Sequence, residues 1–214
     1  MLKLETFATN YLQLLTGPLG GLNLTKILNP EDFFNKQVLD SILPFQMSPV
    51  LQSILGQHDL LIDVGFGGGF PLFPLAIEFS TKKIVGIESI GKKVSACTLI
   101  RDSLGLSNIH LINDRLEKIL IDRPCLITFK AVGRICDLLN FINVAAGCKV
   151  SVVFYKGPSF RDELYFKNSN WSCVEIFEYL LADNSARSTL LYENVPRGTL
   201  KNKNLVKLSE LILE

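Results

Sequence analysis

The sequence predicts an α/β fold in which a mostly parallel, doubly wound sheet with an antiparallel edge follows a small helical cap. Three observations carry that expectation. From His58 onward, short apolar runs alternate with helical stretches, and strand–helix alternation with short connections builds a parallel sheet. Two late strands, Val174–Tyr179 and Thr189–Glu193, have no helix between them, as at the antiparallel edge of a mixed sheet. Ahead of His58 the patterns are helical only.

Each element follows from a local signal. Leu4, Phe7, Tyr11, Leu14 and Leu15 recur at helical spacing, and Gly17 and Pro18 end that run. A second helix opens on Asn29 as N-cap, with Pro30 in its first turn and Glu31 and Asp32 facing the helix dipole. Phe34, Val38, Leu39 and Ile42 form its apolar stripe, and Pro44 is expected to close it. Strands are expected at Leu60–Val64, Lys83–Ile87, Ile109–Ile112, Leu126–Phe129 and Val150–Tyr155, ahead of the two late ones. Helices are expected near Leu72–Glu78, Lys92–Ser103, Ile135–Ala146 and Phe160–Lys167. No internal repeat or long linker interrupts the pattern. The expected organisation is a helical cap over 1–56, an α/β body over 57–195 and a basic, loosely packed tail over 196–214.

A chain of 214 residues, 48% of them hydrophobic, can fill one core. No stretch reaches the roughly 20 uninterrupted apolar residues of a membrane span. The N-terminus, with Glu5 early and no long apolar run, does not read as a signal peptide. A cytoplasmic protein with no membrane partner is expected. Cys97, Cys125, Cys136, Cys148 and Cys173 form no C-x-x-C pair, so reduced thiols are expected, with neither a disulfide framework nor a metal site. With a net charge of +1, attraction to nucleic acid must come from a local patch.

The chemistry concentrates between the strand at Leu60–Val64 and the helix at Leu72, where Asp63, Gly65, Gly67, Gly69, Phe70 and Pro71 lie. A strand, a glycine turn and a helix N-terminus form a nucleotide-binding corner. The glycines follow G-x-G-x-G, where a dinucleotide site has G-x-G-x-x-G, and Asp63 stands just before them. A carboxylate repels a pyrophosphate and attracts an ammonium group, so the corner reads as a pocket for S-adenosylmethionine. Glu88, at the end of the second strand and 19 residues after Gly69, stands where a carboxylate can take both hydroxyls of a ribose. A solvated acid at a strand end is the alternative, and the glycine turn favours the ribose. After the third strand, Leu116 can lie against an adenine ring with Glu117 near its amino group, or Asp114 and Glu117 can form a solvated turn.

The order and spacing of these motifs resemble one family closely. Its stretches match Asn23-Leu24-Thr25, Pro30, Leu39-Asp40-Ser41, the turn from Asp63 to Pro71, and Glu88-Ser89 followed by Gly91-Lys92-Lys93-Val94. They continue through Arg115-Leu116-Glu117, Lys130-Ala131-Val132 and Lys156-Gly157. The chain resembles the glucose-inhibited division protein B family (RsmG), the small-subunit ribosomal RNA guanine-N7 methyltransferases. The resemblance implies a Rossmann-like methyltransferase using S-adenosylmethionine, acting as a monomer on 16S ribosomal RNA of the small subunit. It implies Gly65 and Phe70 at the methionine end, Leu116 and Glu117 at the adenine, and Lys130 as the catalytic candidate where donor and substrate meet. Asp63, Gly67, Gly69 and Glu88 complete the expected cofactor site. The family usually has arginine where this chain has Lys130, and an Arg-His pair where it has Lys36 and Gln37. Lysine keeps the charge and loses the forked, planar donors.

Guanine N7 carries a lone pair and no proton, so its methylation needs alignment and no general base. No Asn-Pro-Pro-Tyr motif follows the fourth strand, which argues against methylation of an exocyclic amine. His58, His110 and Cys125 are read as structural. Lys36, Lys130, Arg134, Lys156, Arg161 and Arg187, with Arg197, Lys201 and Lys203 in the tail, are the candidates for RNA contact, against the reading of ordinary surface charge. Two alternatives stand beside the first reading: a methyltransferase for another substrate, and a weakly active or inactive cofactor-binding protein in ribosome assembly.

Overall fold

In the computed structural model, which describes residues 2–17, 19–164, 170–195 and 204–212, the first amphipathic run forms α1 (Leu2–Thr16). Leu4, Phe7, Tyr11 and Leu15 are buried, and the rings of Phe7 and Tyr11 pack against Phe70 and Phe73. Asn29 caps α2 (Pro30–Phe33), its side chain accepting from Asp32 N–H at 3.1 Å. The helix then widens into a π-helical turn, Phe34–Leu39, and continues as α3 (Asp40–Met47).

Pro44, expected to close this helix, lies inside α3. A proline in a helix leaves the carbonyl four residues earlier without its N–H partner. Here Asp40 O accepts the Tyr179 hydroxyl at 3.4 Å, so a distant strand supplies the missing donor. Ser48 then caps α4 (Pro49–Gln57), a helix of the cap that has no separate place in the sequence reading, by accepting from Leu51 N–H.

The body follows as β1 (Leu60–Val64), α5 (Leu72–Glu78), β2 (Lys83–Ile87), α6 (Gly91–Ser103), β3 (Ile109–Ile112), β4 (Ile119–Ile121), β5 (Cys125–Lys130), α7 (Ile135–Phe141), β6 (Asn143–Val144), β7 (Val150–Lys156), β8 (Trp171–Leu180) and β9 (Ala186–Asn194). Seven strands form one sheet in the order β3-β2-β1-β5-β7-β9-β8. The first five are parallel, and β9 runs antiparallel to both β7 and β8, as the two late strands predict. Leu61, Ile84, Leu126 and Val153 pack towards the cap, while Ile62, Val85, Ile127 and Val152 pack on the other face. Burial on both faces is what makes these strands read as continuous apolar runs.

The register sets the site. Asp63 pairs with Thr128, Lys130 with Tyr155, and Lys156 with Ser188, so the ends of β1, β5 and β7 and the start of β9 share one edge of the sheet.

Two helix expectations are corrected. The helix expected to reach Ala146 ends at Phe141, because Asn143 turns to donate to Glu117 O and β6 pairs with β4. The helix expected from Phe160 is a short 3-10 segment, Pro158–Glu163, whose Glu163 side chain accepts from Ile135 N–H and from Lys156. Residues 165–167 of that expectation lie outside the described residues.

The tail differs as well. β10 (Val206–Lys207) joins β4 and β6 in a three-stranded parallel sheet, and α8 (Leu208–Leu211) buries Leu208. Asp122 accepts from Ser209 N–H, and Ile212 is buried, so residues 204–212 are packed where loose packing is expected. Among the described residues no helix is long and apolar enough to cross a membrane.

Candidate active site

The glycine turn leaves β1 with backbone that side chains disfavour. Gly65 has φ +69°, and a Cβ on it would come within 2.8 Å of the Val132 side chain. Gly69 has φ +90°, and a Cβ there would meet the Phe73 ring. The turn therefore needs glycine both for its path and for close packing.

Two carboxylates hold the turn from different sides. Asp63 is 1% exposed; its Oδ2 accepts from Leu72 N–H at 3.0 Å and its Oδ1 from the Thr128 hydroxyl at 3.0 Å. It thereby satisfies an N–H that the start of α5 leaves unpaired. Burial pushes its carboxyl up to about 7, against the opposing pull of the Thr128 and Leu72 bonds. Glu88 Oε2 accepts from Gly67 N–H at 3.1 Å, and Oε1 accepts from Ile90 N–H at 2.9 Å. Asp63 lies behind the turn and lines neither cavity; Glu88 lies beside it and lines one.

Two cavities meet at Gly65. The smaller, about 170 Å³, is bounded by Glu88, Leu116, Glu117, Phe129, Val132 and Phe141. It offers two carboxylates at one side and apolar walls at the other. The larger, about 680 Å³, runs from Gly67 and Phe70 under the segment Asn23–Ile27 to the ends of β5, β7 and β9. Phe70 is held there by edge-on contacts with Tyr11 and Phe33, at centroid distances of 5.2 and 5.4 Å. Gly69 lines neither cavity.

The larger cavity is lined by six cations (Lys26, Lys36, Lys93, Lys130, Lys156 and Arg187) and one carboxylate, Asp40. Several cations are tethered. Lys36 pairs with Asp32 at 2.7 Å and Asp183 at 3.1 Å, and those bonds raise its pKa. Lys156 pairs with Glu163 at 2.8 Å and donates to Gly133 O at 2.9 Å. Lys130 pairs with the buried Asp40 at 3.0 Å; burial lowers its pKa and the Asp40 charge opposes that. Arg187 Nε lies 3.8 Å from Asp40 Oδ1.

Of the other RNA-contact candidates, Arg161 pairs with Glu178 outside the cavity, and Arg134 also lies outside its lining. Arg197, Lys201 and Lys203 lie outside the described residues. His58 is buried with its Nε2 3.0 Å from Ser151 Oγ, and His110 lies on β3; neither lines a cavity. Cys125 is buried in β5.

Sequence reasoning missed Asp40, Tyr11, Val132 and Phe141. Asp40 carries a weak signal, an acid among apolar helix positions. Tyr11 carries none, because a tyrosine in a helical stripe reads as core.

The fold and the site define a class. A mostly parallel sheet with an antiparallel edge, a glycine turn after β1 and an acid after β2 make a Rossmann-like, S-adenosylmethionine-dependent methyltransferase. Solved structures share the fold: a SAM-dependent methyltransferase from Aquifex aeolicus has TM-score 0.50 and 16% identity over 73% of this chain and 92% of that one. MtNAS in complex with S-adenosylmethionine has TM-score 0.50 and 8% identity over 89% of this chain and 73% of that one. The chain belongs to the rRNA small subunit methyltransferase G family, whose model matches residues 5–190. A ribosomal RNA small subunit methyltransferase G from Pseudothermotoga lettingae is 32% identical over 186 residues, 82% of this chain and 77% of its own. The protein of that name from Brachyspira hyodysenteriae is 35% identical over 151 residues, 70% of this chain and 69% of its own.

Proposed function

We propose that the chain methylates N7 of a guanine in 16S ribosomal RNA, taking the methyl group from S-adenosylmethionine. One observation carries the reading beyond the family: the cavity beside the glycine turn is walled by six cations and a single carboxylate, itself held by Tyr179 and Lys130. Such a wall suits an anionic polymer. Neither histidine lines it, as suits an acceptor with no proton to lose.

The smaller cavity fits the adenosine. Glu88 spends its oxygens on Gly67 and Ile90 N–H groups, and an ionised carboxylate keeps lone pairs for ribose hydroxyls. Leu116 and Glu117 border the space for adenine, and Gly65, Gly67 and Phe70 border the space for the methionine end. Asp63 and Gly69 act from behind, fixing the turn. Bound S-adenosylmethionine supplies an electrophilic methyl group on sulfur. The protein's own work is to hold donor and guanine in line and to keep water out, which is proximity catalysis.

The substrate is an assembled or partly assembled small subunit in the cytoplasm. A net charge of +1, with Lys36 and Lys156 already paired, gives little sequence-independent grip on RNA. Recognition then depends on a preformed shape and a splayed base. Mass spectrometry of ribosomal RNA nucleosides tests the reading. Deleting the gene should remove N7-methylguanosine from 16S rRNA, and an unchanged level would refute it.

A further inference from the structure

Lys130 stands at the end of β5, where donor and acceptor are expected to meet, yet its ammonium group is already committed. It lies 3.0 Å from Asp40 Oδ2, 3.3 Å from Lys36 O and 3.5 Å from Gln37 O. An ammonium group has three N–H donors, and these three acceptors take them all. All three acceptors belong to the cap. Two are carbonyls of the π-helical turn, where Asp40 N–H reaches back to Asn35 O and the widened turn presents Lys36 O and Gln37 O sideways. Such turns are common at functional sites.

Asp40 is the centre of this arrangement. It is 3% exposed, and it also accepts the Tyr179 hydroxyl at 2.8 Å. One residue on, Ser41 O accepts the Tyr155 hydroxyl at 2.6 Å. A single stretch of α3 is thus tied to β5, β7 and β8 at the edge that forms the larger cavity. Arg187, from β9, is placed differently. Among the described residues it donates only to Ala186 O at 2.9 Å, and its side chain is 26% exposed. Its planar fork keeps most of its five donors for an anion.

We propose that Asp40 is a positioning residue for methyl transfer: it bolts Lys130 to the cap, which fixes the wall of the acceptor cavity and leaves Arg187 as the cation that meets the RNA. The proposal rests on the reading of the larger cavity as the acceptor site. Lys130 is then a structural bolt, and its side chain makes no direct contact with the RNA. An arginine in its place can reach the same three acceptors, so the bolt tolerates that exchange.

The test compares wild type with Asp40→Asn, Lys130→Met, the double variant, Lys130→Arg and Arg187→Met, measuring methyl transfer to small subunits and calorimetric affinity for S-adenosylhomocysteine. Asp40→Asn and Lys130→Met should each lower kcat about 10-fold or more, with KM and cofactor affinity within about threefold of wild type. The double variant should be no slower than the slower single variant, because one bolt is broken twice. Lys130→Arg should keep its rate, and Arg187→Met should raise the KM for the subunit. Multiplying losses in the double variant, unchanged kcat in Asp40→Asn, or a folded but inactive Lys130→Arg would overturn the proposal. A second readout separates it from the functional reading. Hydrogen exchange over residues 34–47 should quicken in Lys130→Met and not in Lys130→Arg, whether or not the protein methylates RNA. Exchange unchanged in Lys130→Met would overturn the bolt. A wild type that transfers no methyl group would count against the methyltransferase reading alone.

Discussion

Tyr11 donates its hydroxyl hydrogen to Gly68 O at 2.7 Å, fastening the first helix of the cap to the glycine turn 57 residues later. Its ring is fully buried against Phe33 and Phe70. Tyr11→Phe keeps that packing and leaves a buried carbonyl without its donor, which costs about 1–3 kcal/mol. Urea denaturation should show a loss of that size, and calorimetry should show weaker binding of S-adenosylmethionine, because the turn is no longer held from above.

Glu88 is expected to govern cofactor affinity. Glu88→Ala removes a charged acceptor from the smaller cavity and should weaken S-adenosylmethionine binding by about 1–3 kcal/mol. Unchanged calorimetric affinity in a folded variant would take Glu88 out of the ribose site.

Much of this was legible in the sequence, and what escaped did so for physical reasons. The strands at Leu60–Val64, Lys83–Ile87 and Ile109–Ile112 coincide with their apolar runs. The same two-sided burial hid the direction of Asp63: a strand buried on both faces has no alternation to tell which side chain faces a ligand. Pro44 misled because its rescue comes from Tyr179, 139 residues beyond Asp40. The strands β4, β6 and β10 have two or three residues each, too short for any periodicity. Lys130 was legible as a site residue; its commitment to the cap depends on tertiary geometry that no spacing encodes.

Asp63 should make stability fall as pH rises. Its carboxyl is raised by burial to about 7, so the folded state favours the proton. The stabilisation is complete below the unfolded carboxyl's pKa of about 4 and is lost as pH rises through about 7. Asp63→Asn imitates the protonated acid and should remove this slope. Denaturation midpoints at pH 5 and pH 8 for both proteins check it; a parallel pH dependence would refute it.

His58 should act in the opposite sense. Burial lowers its pKa to about 4, so the folded state favours the neutral ring. That contribution is present above the unfolded histidine value of about 6.5 and is lost as pH falls through about 4. His58→Gln should flatten the stability profile between those values. If wild type and variant lose stability equally on acidification, His58 is not the group responsible.

The most direct measurement of the central claim is methyl transfer by the purified protein to small ribosomal subunits from a strain lacking the gene, with labelled S-adenosylmethionine and identification of the labelled nucleoside. The expected result is label in N7-methylguanosine of 16S rRNA, faster on the subunit than on a short RNA oligonucleotide. Label in a different nucleoside, or no transfer to the subunit, would contradict the account.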